Sequence, residues 1–208
     1  MANTLSRFLL LAISTIAGSF ATVAQSSDLI PQAGSVLYWV GHDGSTSYRY
    51  EEAVLFHDDD VTLYQTFPEE YDEDRGPTVD DFYILLSGVQ HVACNRELPS
   101  ADYRERLKAY VRKGAEGDEF ELVGDHRSTL QIKAEEPVFL MGETFTGTWV
   151  HADTTDEQYL IDRESGLNFK LRWAEDISDT LVLKTKQKEI DFSGIMVHLG
   201  NCAMLISE

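Results

Sequence analysis

A chain of 208 residues with 17 basic and 36 acidic side chains, net charge −19, presents the wrong field for phosphate. Nucleic acid and anionic lipid surfaces are held through clustered Lys and Arg, so neither is expected as a partner. The length suits one domain with a sizeable core.

The chain opens with a single basic residue, Arg7, followed by an apolar run from Phe8 to Ala17. Thr22 and Ala24 then occupy the small-residue positions of a cleavage site. This is the layout of a secretory signal peptide over residues 1–24, leaving a single β-rich domain over residues 25–208. The apolar run is too short to span a bilayer comfortably, and no later stretch is longer, so no membrane insertion of the mature chain is expected.

The mature region reads as short alternating segments separated by turns. "SVLYWV" is the first strand candidate. "YRYEEAVLF" and "VTLYQTF" follow as a hairpin, with the acidic tip His57–Asp60 as its turn. Glu69–Asp81 then packs seven carboxylates around Arg75. Hard cations take six to eight oxygen ligands from such flexible loops, which makes Glu69, Glu70, Asp72, Glu73 and Asp74 the candidate calcium ligands. Solvated charge is the simpler alternative.

"DFYILLSG" supplies another strand. Ser100–Lys113 breaks the period: Tyr103, Leu107, Tyr110 and Val111 form a helical apolar stripe. Ser100 is placed to cap its start and Gly114 to stop it. Five basic residues lie on this helix, Arg104, Arg106, Lys108, Arg112 and Lys113. They are expected to offset neighbouring carboxylates rather than bind a polyanion. "EFELV", "TLQIK" and "FTGTWVH" are further strands. "YLID", the turn "RESG" and "LNFKLRW" form a second hairpin, with Leu167, Phe169, Leu171 and Trp173 on one face. "TLVLKTK" and "IDFSGIMVHLG" complete the set. About ten strands predict an all-β fold, mainly an antiparallel barrel, half-barrel or sandwich, with one amphipathic helix packed on the sheet.

Two cysteines each follow a histidine: His91 with Cys94, and His198 with Cys202. A Cys2His2 zinc site would need each pair to converge. In a strand, residues three apart face opposite sides, which separates His91 from Cys94. An exported chain also meets oxidising conditions, so a Cys94–Cys202 disulfide is expected instead.

No nucleophile elbow, zinc-protease helix, phosphate loop or EF-hand spacing occurs. His42–Asp43, His57–Asp58 and Asp125–His126 are adjacent pairs, and adjacency alone makes poor dyads. Aromatic residues recur on the strand candidates, among them Trp39, Tyr48 and Tyr83. Tyr38, Tyr50, Tyr64, Trp149, Phe169 and Trp173 are the candidate lining of a ligand pocket, with core packing as the competing explanation. The expectation is an exported binding or accessory protein of the cell envelope, holding a small apolar molecule or meeting an envelope protein. The alternative is an extracytoplasmic hydrolase using Asp, Glu and His from separate strands.

Overall fold

The computed structural model describes residues 29–68, 77–123, 128–153, 156–185, 190 and 192–206. The signal-peptide segment, the five candidate calcium ligands and Asp125–His126 lie outside the described residues.

The strands are β1 (Val36–Asp43), β2 (Thr46–Asp58), β3 (Val61–Pro68), β4 (Phe82–Leu86), β5 (Gln90–Ala93), β6 (Glu119–Leu122), β7 (Ser128–Leu140), β8 (Glu143–Ala152), β9 (Gln158–Ile161), β10 (Asn168–Arg172) and β11 (Ile177–Thr185). Helix α1 (Ala101–Lys113) lies between β5 and β6. All eleven strands join one sheet in the order β5-β4-β3-β2-β1-β11-β10-β9-β8-β7-β6. Every pairing is antiparallel. Two meanders therefore lie side by side, joined where β1 meets β11. The fold is mostly antiparallel β, a nearly closed barrel sheet with one helix against it.

The edges β5 and β6 are brought together by side chains. Tyr103 of α1 donates to Gln90 Oε1 at 2.9 Å, and its hydroxyl accepts from Val123 N at 3.1 Å. Gln90 Nε2 donates to Val123 O at 2.9 Å. This ring of three bonds fills the seam where an open edge would expose unpaired backbone.

Period-two alternation divides the buried side chains into two sets. Ala53, Leu55, Leu63, Phe82, Ile84 and Val92 face α1, whose Tyr103, Leu107 and Val111 are buried against them. Leu37, Trp39, Val54, Tyr64, Leu85 and Leu181 take the opposite face with Phe145, Leu160 and Phe169. β-Bulges at Tyr38/Trp39 and Val54/Phe56 bend the long strands between these sets.

Ser100 accepts from Tyr103 N at the start of α1, and Gly114 follows its end. Its basic face is spent on the β2–β3 turn. Lys108 and Arg112 reach Asp59 at 2.8 and 2.7 Å, and Arg104 reaches Asp60 at 3.4 Å. Arg163, from the β9–β10 turn, donates to the carbonyls of Val111 and Gly114 and satisfies the helix C-terminus. The strands of this first hairpin continue through Asp58 and resume at Val61, so the turn is Asp59–Asp60 and shorter than His57–Asp60.

The expected strand "IDFSGIMVHLG" is a correction. Phe192–Ile195 form a short helix, α2, and Met196–His198 and Gly200–Leu205 form 3-10 turns. Phe192, Ile195, Met196 and Leu199 recur at helical spacing, and all pack on the core that faces α1. Neither cysteine lies in a strand: Cys94 follows β5 and Cys202 sits in the last 3-10 turn. Their sulfurs are bonded, with the Cα atoms 5.2 Å apart. Asn201 N donates to Cys94 O at 2.8 Å beside the bridge.

Candidate functional site

The register of β1 to β5 gathers one set of side chains on a single face of the sheet. Leu37 opposes Glu52, Trp39 opposes Tyr50, Glu52 opposes Thr66, and Tyr64 opposes Tyr83. Directly paired residues point to the same side, so these rows converge. With His91 from β5, Tyr159 from β9, and Asn168, Leu171 and Trp173 from β10 and its end, they line a cavity of about 370 Å³. That size falls in the range of small-molecule sites. Asp80 and Asp81, from the turn preceding β4, stand at its wall.

Aromatic faces dominate the lining. Trp39 stacks on Tyr50 with ring centroids 6.0 Å apart, and Tyr64 on Tyr83 at 5.3 Å. His91 lies against the other side of Tyr83 at 4.6 Å. Its ring keeps exposed surface, yet crowding by its neighbours lowers its pKa, partly opposed by Glu157.

Glu52 is a carboxylate held away from water. It is 5 % exposed, and burial pushes its pKa up from 4.5 to about 7. Tyr83 donates to its Oε1 at 2.5 Å and favours the anion, as do the Trp39 indole and the Thr66 hydroxyl. The charge of Asp179 works the other way. The Trp39 N–H lies near enough to favour the charge, but it makes no hydrogen bond of proper geometry.

Asp179 is a different kind of buried carboxylate. Tyr48 donates to Oδ1 at 2.8 Å, while Tyr50 and Trp173 donate to Oδ2 at 3.0 and 3.1 Å. It anchors two of the cavity's aromatic walls. Gly41 makes room for this cluster: a Cβ there would lie 2.2 Å from the Tyr48 ring and 2.5 Å from Asp179 Oδ1. Burial and Asp179 together raise the Tyr48 pKa to about 12.

Asn168 is 3 % exposed and donates through Nδ2 to Gly88 O at 3.0 Å. That bond fixes its amide orientation and leaves Oδ1 buried without a partner. Gly88 has φ +76°, and a Cβ on it would come within 2.3 Å of Gly166 O, so the loop contact supporting Asn168 needs glycine.

Of the six aromatic residues expected to line a pocket, Tyr50, Tyr64 and Trp173 meet at this cavity. Tyr38 points to the other face of β1, into a second, more open cavity of about 740 Å³ with Arg49, Glu51 and Phe67. Trp149 is half-buried beneath the Arg172 guanidinium, 5.2 Å from its ring centroid. Phe169 stacks on Phe145 within the core. Sequence reasoning left Glu52, His91 and Asn168 out of the pocket. The signal for Glu52 was its inward parity with Tyr50 and Val54 in "YEEAV". His42 and His57 each meet a cross-strand hydroxyl, of Ser47 at 2.9 Å and Thr62 at 2.8 Å, and neither lines the cavity. Among the described residues, no three His, Cys, Asp or Glu side chains are grouped to hold a metal ion. No helix among them is long and apolar enough to cross a membrane.

No protein-family model matches the chain, and no curated protein matches it. Among solved structures it is similar to the crystal structure of the hypothetical lipoprotein YmcC from Escherichia coli (K12), at 11% identity and a TM-score of 0.40. That similarity covers 76% of this chain and 87% of the other.

Proposed function

We propose that this chain is an extracytoplasmic binding protein that holds a small molecule in the cavity between Trp39, Tyr64, Tyr83 and Trp173. The observation that carries this reading is a cavity of about 370 Å³ with aromatic walls and buried polar atoms left without partners. Aromatic walls supply apolar contact, and a few fixed polar groups supply orientation. Glu52 and Asn168 make the ligand one with an apolar body and a polar group, rather than a wholly apolar one. The buried Cys94–Cys202 bridge and the leader-like residues 1–24 support an oxidising compartment outside the cytoplasm.

The hydrolase alternative has one observation in its favour: Glu52 and His91 share the cavity. Two of the neighbouring carboxylates are already engaged. Asp179 is engaged by three donors, and Asp81 Oδ2 by the backbone N and hydroxyl of Thr78.

Native mass spectrometry of the protein released from its source envelope tests the binding reading. A small molecule should be retained by the wild type and lost from Thr66→Trp, which fills the cavity. A wild type carrying no ligand, or equal retention by both, would overturn it.

A further inference from the structure

We propose that the ligand's polar group is an organic ammonium ion, held by the Glu52 carboxylate inside a cage of aromatic faces. This rests on the reading of the cavity as a binding site.

Three observations converge. Glu52 is only 5 % exposed, yet none of the groups acting most strongly on its titration is cationic. Buried carboxylates are ordinarily paired, because desolvating a lone charge is costly. The missing counter-charge is what a bound cation supplies. Next, the rings of Trp39, Tyr50, Tyr64, Tyr83 and Trp173 surround the same space. Their π-faces attract a cation, and that attraction strengthens where water is excluded. Last, Asn168 Oδ1 is a buried acceptor without a donor, oriented by its bond to Gly88. A hydroxyl or N–H on the ligand satisfies it.

The wider field agrees. No Lys or Arg lines the cavity among the described residues, whereas Asp80 and Asp81 do. Glu157 acts on His91 and accepts from Tyr159 at 2.6 Å, which places another carboxylate next to two of the lining residues. These carboxylates disfavour an anion in the cavity and favour a cation.

The same arrangement makes binding pH-dependent. The groups facing Glu52 are Trp39 from β1, Tyr50 on its own strand, Tyr64 and Thr66 from β3, Tyr83 from β4, His91 from β5 and Asp179 from β11, with Asp80 and Asp81 at the wall. The tyrosines stay neutral, their pKa values raised by burial. His91 is held towards its neutral form. Glu52, with its pKa raised to about 7, changes its ionisation with solution pH near neutrality, and protons compete with the cation for it.

The test is calorimetric titration with choline and with its uncharged isostere 3,3-dimethylbutan-1-ol. Choline should bind about tenfold or more tightly than the alcohol at about pH 8. Its affinity should fall towards about pH 5.5 while the alcohol's stays constant. Glu52→Gln should sharply reduce the preference for charge, leaving only what the aromatic faces supply. Equal binding of both probes, or a pH-independent choline affinity, would overturn the ammonium assignment and leave the cavity a binding site. Binding of neither probe would also overturn it, while ligand retention in native mass spectrometry decides the binding reading separately. The isostere comparison on the wild type stands even if the variant does not fold.

Discussion

Tyr83 donates a 2.5 Å hydrogen bond to Glu52 Oε1 although their strands, β4 and β2, are not neighbours. The bond reaches across β3, whose Thr66 pairs with Glu52 and whose Tyr64 pairs with Tyr83. Glu52 is consequently held against an aromatic wall, not among cations.

A carboxyl group whose pKa is higher folded than unfolded stabilises the fold below its unfolded value. That stability is lost as pH rises towards the folded value. For Glu52 the window runs from 4.5 to about 7. Across it the contribution falls by about 3 kcal/mol. Glu52→Gln should therefore melt higher than wild type above neutral pH and close to it in mild acid. Thermal melts across this range check it. Tyr83→Phe removes a bond that favours the anion, so the Glu52 pKa should climb further, readable by NMR titration.

Asp179→Asn keeps the shape of the Tyr48, Tyr50 and Trp173 cluster but removes its charge. The Tyr48 pKa, held at about 12 by burial first and Asp179 next, should move partway back towards 10. Ultraviolet difference titration of the tyrosines measures this. Gly41→Ala, which drives a methyl into the same cluster, should alter the fluorescence of Trp173.

The barrel seam offers a contrast between buried and exposed polar contacts. Tyr103→Phe strips the hydroxyl that joins Gln90 to Val123 and leaves the buried Gln90 Oε1 without its donor, at a cost of about 1–3 kcal/mol. Asp59→Ala removes ion pairs to Lys108 and Arg112 that are open to solvent, costing less than about 1 kcal/mol and less still in high salt. Urea unfolding of the two variants should rank them in that order.

The Cys94–Cys202 bridge spans 108 residues and ties the C-terminal turns to the end of β5. Replacing either cysteine by serine should cost on the order of 2–5 kcal/mol. Reduction of the wild type should reproduce the loss. Denaturant midpoints with and without reductant check it.

The parts of this fold visible in the sequence were those set by local pattern. Period two marks β10 through Phe169 and Leu171, and Ser100 and Gly114 bracket α1. The C-terminal segment misled because it is short and apolar, although its helical spacing from Phe192 to Leu199 was present. The cavity was harder to read because parity along one strand does not say which face lines it. Tyr38 and Trp39 are adjacent, and only the pairing of β1 with β2 and β11 shows that Trp39 faces the cavity. Asn168 enters through an 80-residue contact with Gly88 that no local pattern encodes.

The space beside Glu52 is proposed as a ligand site. Its most direct test is a crystal structure of protein purified from its source envelope without refolding. The account predicts a compact molecule between Trp39, Tyr64 and Tyr83, with a polar atom within hydrogen-bond distance of Glu52. A cavity holding only water, with any co-purified molecule bound elsewhere, would contradict it.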